Sequence, residues 1–259
     1  MLNFMKSEWY RIIHSKEIYL ITGLMSLAVL FMNIVISIAS HNIAGFKYGL
    51  VSFSLNTLTS NLPSWMFCIG TVIVGSLYAE ERKNGTMKNS VAYGISRISI
   101  FIGKCLMGML FSVLSLAVIL IVLVSSAVLL LDGPTQEPIR QMLFGVGAAL
   151  PSAFASAILT MAMLSLCRKE IMAYGLWIVI MYGVPVVTLF AGFQFEPLSK
   201  AAEWMPWNFL NYEVQANMSG YNCLWDTPYG LMKCLVAGGI GILVFTVVGL
   251  LIVRKKDIR

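Results

Sequence analysis

Glu80 and Glu81 stand side by side and are followed by Arg82, Lys83, Gly85, Thr86 and Lys88, a run that opens on four consecutive charges in a chain of 259 residues. Paired carboxylates can serve acid–base chemistry or hold a metal. Neither use is completed here. The glutamate pair of metal-dependent intramembrane proteases needs an arginine four residues after the second carboxylate, and that position is Gly85. The only histidines, His14 and His41, are expected on opposite sides of a membrane, so no His-based zinc site and no HExxH protease forms. Cys68, Cys105, Cys167, Cys223 and Cys234 fall mostly in or beside apolar runs and read as small buried side chains, not as a disulfide framework or a metal cluster. No GxxxxGK[ST] phosphate loop is present, so ATP hydrolysis by that route is excluded. No enzymatic activity, bound cofactor or metal is expected of this chain.

The elements that must position the charged cluster follow from composition. Hydrophobic residues make up 58% of the chain and charged residues only 12%, against roughly a quarter charged in soluble domains. A membrane span needs about 20 predominantly apolar residues, because the hydrocarbon core is roughly 30 Å thick. Six runs meet or approach this: 18–40, 62–79, 105–131, 142–166, 171–195 and 231–253. The first is too long for the apolar part of a cleavable signal. The first five carry no charged side chain, and the sixth carries Lys233 at its edge, where a long stem can snorkel. A proton-coupled carrier or ion pump needs an ionisable group inside the membrane, so these spans argue against an ion-driven carrier.

Orientation follows from lysine and arginine. Lys6, Arg11, Lys16, Arg82, Lys83, Lys88, Arg97, Lys104, Arg168, Lys169, Arg254, Lys255, Lys256 and Arg259 fall on one side; Lys47, Arg140, Lys200 and Lys233 fall on the other. The richer side is cytoplasmic, and six spans then place both termini there. The net charge of +6 is thus a topology signal, with anionic lipid and partner binding secondary. No basic stripe interleaved with aromatics suggests nucleic acid. Ahead of the first span, Leu2, Met5, Trp9, Ile12 and Ile13 recur at helical spacing, so residues 1–17 read as an amphipathic helix in the cytoplasmic interface.

Residues 194–229 form a longer, partly apolar outer segment with Trp204, Trp207, Phe209 and Trp225. Trp and Tyr favour the interfacial belt, so this segment is expected to lie on or dip into the outer leaflet as a cap. In the fourth span Gly145, Ala149, Ala153 and Ala157 recur every four residues, a stripe that lets helices pack closely. Pro151 and Pro185 are expected to kink spans four and five.

The loop 80–104 links spans two and three. Gly85 suits a helix C-terminal cap, Thr86 can cap a following short helix, and Gly94 and Ser96 break that helix before Arg97 and Lys104. A short helix bracketed by charge suits docking to a soluble partner; the plainer alternative is a solvated turn obeying the positive-inside rule.

Three stretches together resemble the permease subunits of ABC-2 type transporters, in particular the lantibiotic-immunity and bacitracin-export branch. They are the amphipathic start Glu8 to Lys16, the loop Glu81-Arg82-Lys83-Asn84-Gly85-Thr86 with Lys88, Ser96-Arg97 and Lys104, and the basic ending Arg254-Lys255-Lys256-Asp257-Ile258. The resemblance implies an all-α integral membrane protein, residues 1–259 forming one ABC-2 transmembrane domain of six helices with both termini in the bacterial cytoplasm. It implies two ABC ATPase subunits, which bind the ATP and Mg, and a second permease chain, the same or related. It implies that the 80–104 loop is the coupling element, with Glu80, Glu81, Arg82, Lys83, Gly85, Thr86, Lys88, Gly94, Arg97 and Lys104 as its residues, and that 194–229 is re-entrant and caps the exit. The expected cargo is an antimicrobial peptide or similar amphipathic substrate. Related branches keep sodium, drug and lipid-linked substrates open, and a membrane sensor or assembly protein that transports nothing is a further alternative.

Overall fold

The computed structural model describes residues 2–43, 45–84, 92, 94–212, 215–217 and 220–255. A short helix α1 (Leu2–Ile13) precedes α2 (Lys16–Asn42), α3 (Val51–Ser60), α4 (Leu62–Asn84), α5 (Arg97–Leu130) and α6 (Gln136–Leu166). The next span is α7 (Glu170–Ile178), a π-helical turn (Val179–Gly183) and α8 (Val184–Gly192). Short helices α9 (Glu196–Glu203) and α10 (Pro206–Tyr212), a hairpin of β1 (Gln215–Asn217) with β2 (Gly220–Asn222), and a 3-10 turn at Leu224–Asp226 lead to α11 (Pro228–Lys255). Six stretches, α2, Leu62–Ala79 of α4, α5, α6, the α7–α8 unit and α11, are long and apolar enough to cross a membrane. The fold is that of an all-helical integral membrane protein. Six crossings put both ends of the chain on one face, called here the terminal face; the opposite one is the distal face.

The hub is α6. Its apolar window is 67% buried, against 17% for α2, for α7–α8 and for α11. Lipid is as apolar as leucine, so close packing and not hydrophobicity decides which helix goes inside. In α6 small side chains supply that packing. A Cβ added to Gly70 of α4 would sit 3.5 Å from Ala157 Cβ and 3.6 Å from the Ala153 carbonyl. One added to Gly238 of α11 would come within 2.8 Å of the Ser152 nitrogen, so α11 crosses at the bare backbone beside Pro151. The Gly145, Ala149, Ala153 and Ala157 stripe therefore packs within the chain, against α4 and its neighbours. The helix continues through Pro151.

Buried polar groups pin the remaining spans. Asn33 of α2 is fully buried; its Nδ2 donates to Ser126 Oγ at 2.7 Å and to the Leu123 carbonyl at 3.2 Å, and its Oδ1 accepts from Ser54 Oγ at 2.6 Å. One amide thus joins α2, α3 and α5 with its bonding capacity nearly filled, the arrangement in which a buried polar group is well compensated. Thr71 of α4 meets Thr160 of α6 at 2.9 Å, and Trp177 Nε1 of α7 donates to Ser156 Oγ at 3.0 Å.

Four sequence expectations change. Helix α3 was not expected: at 10 residues it is too short to span, yet Val51, Ser54, Leu55 and Leu58 form a buried stripe at helical spacing. It is tied to the α5–α6 connection by the Val51 N–H donating to the Asp132 carbonyl at 2.9 Å. The third span begins at Arg97 and the fourth at Gln136, each several residues early, because amphipathic turns extend the helices past their apolar runs. Lys233 does not snorkel. It is 6% exposed, with its ammonium 5.2 Å from the centre of the Phe209 ring. A π turn that the sequence did not announce precedes Pro185: proline has no N–H for the Met181 carbonyl, and the Val184 N–H reaches back five residues to the Val179 carbonyl.

Candidate functional site

On the terminal face, α4 carries Glu80, Glu81, Arg82 and Lys83 in its last turns and ends at Asn84. Gly85, Thr86 and Lys88, and with them the expected capping residues, lie outside the described residues. The far limb of the loop is built locally. Gly94 takes φ +83°, a left-handed conformation that costs glycine little. Ser96 then caps α5: its Oγ accepts from the Ser99 N–H at 3.1 Å. Arg97 opens the helix, and Lys104 sits two turns further in. The stretch expected as loop from Glu80 to Lys104 is therefore helical at both ends.

Lys104 is only 2% exposed and points to α1, where its Nζ lies 3.4 Å from Glu8 Oε2. Arg11 Nη2 reaches the same oxygen at 2.7 Å. Two charges taken out of water must compensate each other, and removing one partner from such a pair typically costs about 3–5 kcal/mol. Apolar contacts flank this pair: the Phe4 ring packs on Gly103, where an added Cβ would lie 2.9 Å from Cε1, and the Trp9 and Phe111 rings are 5.2 Å apart. Helix α1 is thus clasped to the start of α5 by an ion pair between two apolar contacts.

On the distal face, the segment after α8 folds back as α9 and α10. Asn208 of α10, 3% exposed, donates through Nδ2 to the Pro185 and Ala202 carbonyls, both at 3.0 Å. Tyr182 of the π turn stacks edge-on with Trp207 at 4.2 Å and Trp177 at 5.4 Å. Trp225 fills the space left by Gly145, where a Cβ would meet its Cζ2 at 2.6 Å. Of the four aromatic residues assigned to an interfacial cap, Trp204 is 42% exposed, Trp207 is half-buried, and Phe209 and Trp225 are buried in the protein body. The last two are packing residues, since Lys233 covers one and Gly145 receives the other. Beside Trp225, burial and the nearby Asp226 carboxylate push the Cys223 thiol from its ordinary 9.0 up to about 12.

Sequence reasoning grouped Lys104 with the loop and missed its partner. A signal existed: Glu8 falls between Met5 and Ile12 on the apolar stripe of α1, and an acid there must find a cation. Asn33 and Asn208 carried no comparable signal, because a lone amide in an apolar helix does not reveal which backbone it will meet. Cys105, Cys167, Cys223 and Cys234 are buried, Cys68 is half-buried, and none of the five is in a disulfide. No group of metal-ligating side chains occurs among the described residues.

Residues 4–186 match the family model described as ABC-2 family transporter protein. No curated protein matches the chain. The matched region runs from α1 to the residue after Pro185, so α9, α10 and α11 lie beyond it.

Proposed function

The chain belongs to the ABC-2 transporter family, and from that premise we propose that it is the permease subunit of an ABC exporter whose ATP is hydrolysed by a separate ABC ATPase pair. The face carrying both termini is cytoplasmic, in keeping with its excess of lysine and arginine. Two permease chains, identical or related, sit in a bacterial cytoplasmic membrane above the ATPases. The 80–104 connection seats in a groove of the ATPase and serves as the coupling element. Glu80, Glu81, Arg82, Lys83, Lys88 and Arg97 supply its charge, Gly85, Thr86 and Gly94 its turns. The cargo is an amphipathic peptide of the antimicrobial class, and the α9–α10 segment caps its exit.

The observation that carries this reading is the placement of the loop. It joins two spans, emerges from a helical extension at one end and a capped helix at the other, and its far limb is held to α1 by a buried ion pair. A loop fixed at this many points can transmit displacement, whereas a solvated turn would dissipate it. The test is purification of the tagged chain from its native membrane with ATP hydrolysis as the readout. A nucleotide-binding subunit should accompany it, and amphipathic peptides should stimulate hydrolysis. A pure chain without any ATPase would sink the proposal.

A further inference from the structure

The fifth span is one stretch of chain but two packing units, and the π turn is the boundary between them. Helix α7 is fixed to the body: Ala173 and Trp177 are buried, and Trp177 Nε1 donates to Ser156 Oγ of α6 at 3.0 Å. Tyr182 in the π turn is wedged edge-on between Trp177 at 5.4 Å and Trp207 of α10 at 4.2 Å. Beyond it the attachment changes. Helix α8 packs chiefly on α9 and α10 and not on another span. Among its residues only Pro185 is buried, and in α9 only Ala202. The two helices touch through backbone, since a Cβ on Gly192 would lie 2.8 Å from Ser199 Cα. Helix α10 belongs to the body again, with Phe209 and Leu210 each 1% exposed.

The backbone is weakest where the two units join. The Val184 N–H goes to Val179, which leaves the Ile180 carbonyl without its α-helical donor, and Pro185 supplies none to Met181. Beside these missing rungs stands Gly183, where an added Cβ would meet no side chain closer than 3.8 Å. Helices bend at breaks of this kind, and π-helical turns concentrate at functional sites.

One side chain fastens the outer unit. Asn208 of α10 donates through Nδ2 to the Pro185 carbonyl at the base of α8 and to the Ala202 carbonyl at the end of α9, both at 3.0 Å. Both ends of the α8–α9 pair are thus held to the body at a single amide. Its release does not strip the Pro185 carbonyl, because Thr188 Oγ1 lies 2.8 Å from the same oxygen. Room for movement exists: a cleft of about 200 Å³ lies among α8, α9 and α10, bounded by Leu189, Phe193, Ser199 and Phe209.

We propose that α8 and α9 form a flap that swings on the π turn, with Asn208 as its latch. One pivot lies between the pinned Tyr182 and Pro185; the other is the Trp204–Met205 link into α10. The flap carries Val187, Phe190, Phe193 and Phe195 exposed, so its swing moves an apolar edge over the distal face without unpacking another span. Hinges of this kind are a few element-terminal residues that absorb the backbone change. The flap does not depend on the export reading; its use as the moving part of the exit cap does.

The test measures distances by double electron–electron resonance on the purified full-length chain in phosphatidylcholine nanodiscs. One nitroxide pair joins flap to body, Lys200→Cys with Arg140→Cys. A control pair joins two body elements, Thr57→Cys with Arg140→Cys. All three positions are exposed, and Cys68→Ser removes the half-buried native thiol. The flap pair should show two populations in the native chain. Asn208→Ala should raise the open one at least about fivefold, the scale of two lost hydrogen bonds, with the control pair unchanged. Pro185→Ala returns an N–H to Met181 and should narrow the flap pair to one population; it keeps the latch, so it reads the hinge even if N208A folds poorly. One narrow flap distance in the native chain would make α8–α9 a rigid part of the body. A control pair that shifts with the flap pair in N208A would show general loosening and no latch. An unaltered distribution in P185A would remove the π turn as the pivot. Each of these overturns the proposal. No ATPase takes part, so a rigid flap leaves the permease reading standing, and a chain that purifies without an ATPase leaves the flap standing.

Discussion

Glu8 illustrates how one side chain can settle the place of a whole helix. Without Lys104 it would be an acid on the apolar stripe of α1, and α1 would have to turn it toward water. With Lys104 and Arg11 on the same oxygen, α1 can bury that stripe, and Ile12 falls to 1% exposed. Glu8→Gln and Lys104→Met each take one charge out of a buried ion pair, so each should lower stability in thermal unfolding in detergent, by about 3–5 kcal/mol, and the double variant should lose less than the two single losses together. Strictly additive losses would show that the pair is not coupled. Cys223 gives a second residue-scale expectation. Its thiol sits above its ordinary range, so the folded protein holds the proton that the unfolded chain releases. Any contribution to stability is intact below about pH 9 and is lost as pH rises toward about 12. Alkylation of Cys223 at pH 7.5 should be much slower than that of an exposed thiol; comparable rates would show that the site is open.

At the scale of elements, length decided what could be read. Spans announce themselves because twenty apolar residues have few other uses, and all six were legible. Helix α3 was not, since ten residues with Ser, Asn and Thr among them resemble a loop until their buried stripe is seen against α5 and α6. The π turn was invisible for another reason: proline marks a break, but which carbonyls are re-bonded depends on the neighbours. The candidate site divides the same way. The charge of Glu80 to Lys83 and of Arg97 was legible as charge, while the burial of Asn208 depends on a fold-back of α9 and α10 that no periodicity announces. On the proposed coupling role, replacing Gly85 and Thr86 together with alanine, or reversing Glu81 to lysine, should leave membrane insertion intact and lower peptide-stimulated hydrolysis at least about tenfold, the scale of two helix caps at about 1 kcal/mol each if these residues cap as the sequence expectation has it. Unchanged stimulation would remove the coupling role.

The whole molecule has an asymmetric section. A well-buried α6 carries spans on its flanks, and α2, α7–α8 and α11 turn most of their surface outward. Leu20, Leu24, Leu27 and Phe31 of α2 and Leu243 and Val247 of α11 are exposed large apolar side chains. In a bilayer such surfaces meet lipid or a second permease chain, which is where the proposed pairing would act. Sidedness is a property of the molecule as a whole and is tested as one. Single cysteines at Asn42 and at Tyr221 should react with an impermeant maleimide added to intact cells, and one at Asn84 should react only after permeabilisation. The opposite pattern would invert the topology and move the coupling loop away from any ATPase.

The ion pair between α1 and α5 also constrains the order of assembly. Its members are 96 positions apart, and translation adds roughly 5–20 residues per second. For several seconds after Glu8 leaves the ribosome, the lysine that makes its burial tolerable has not yet been made. During that interval α1 must wait in water or at the bilayer surface, and two spans must be threaded before it can dock. The first helix to be synthesised is therefore among the later ones to reach its final place, and a fault in inserting the third span should leave the N-terminus exposed to proteases.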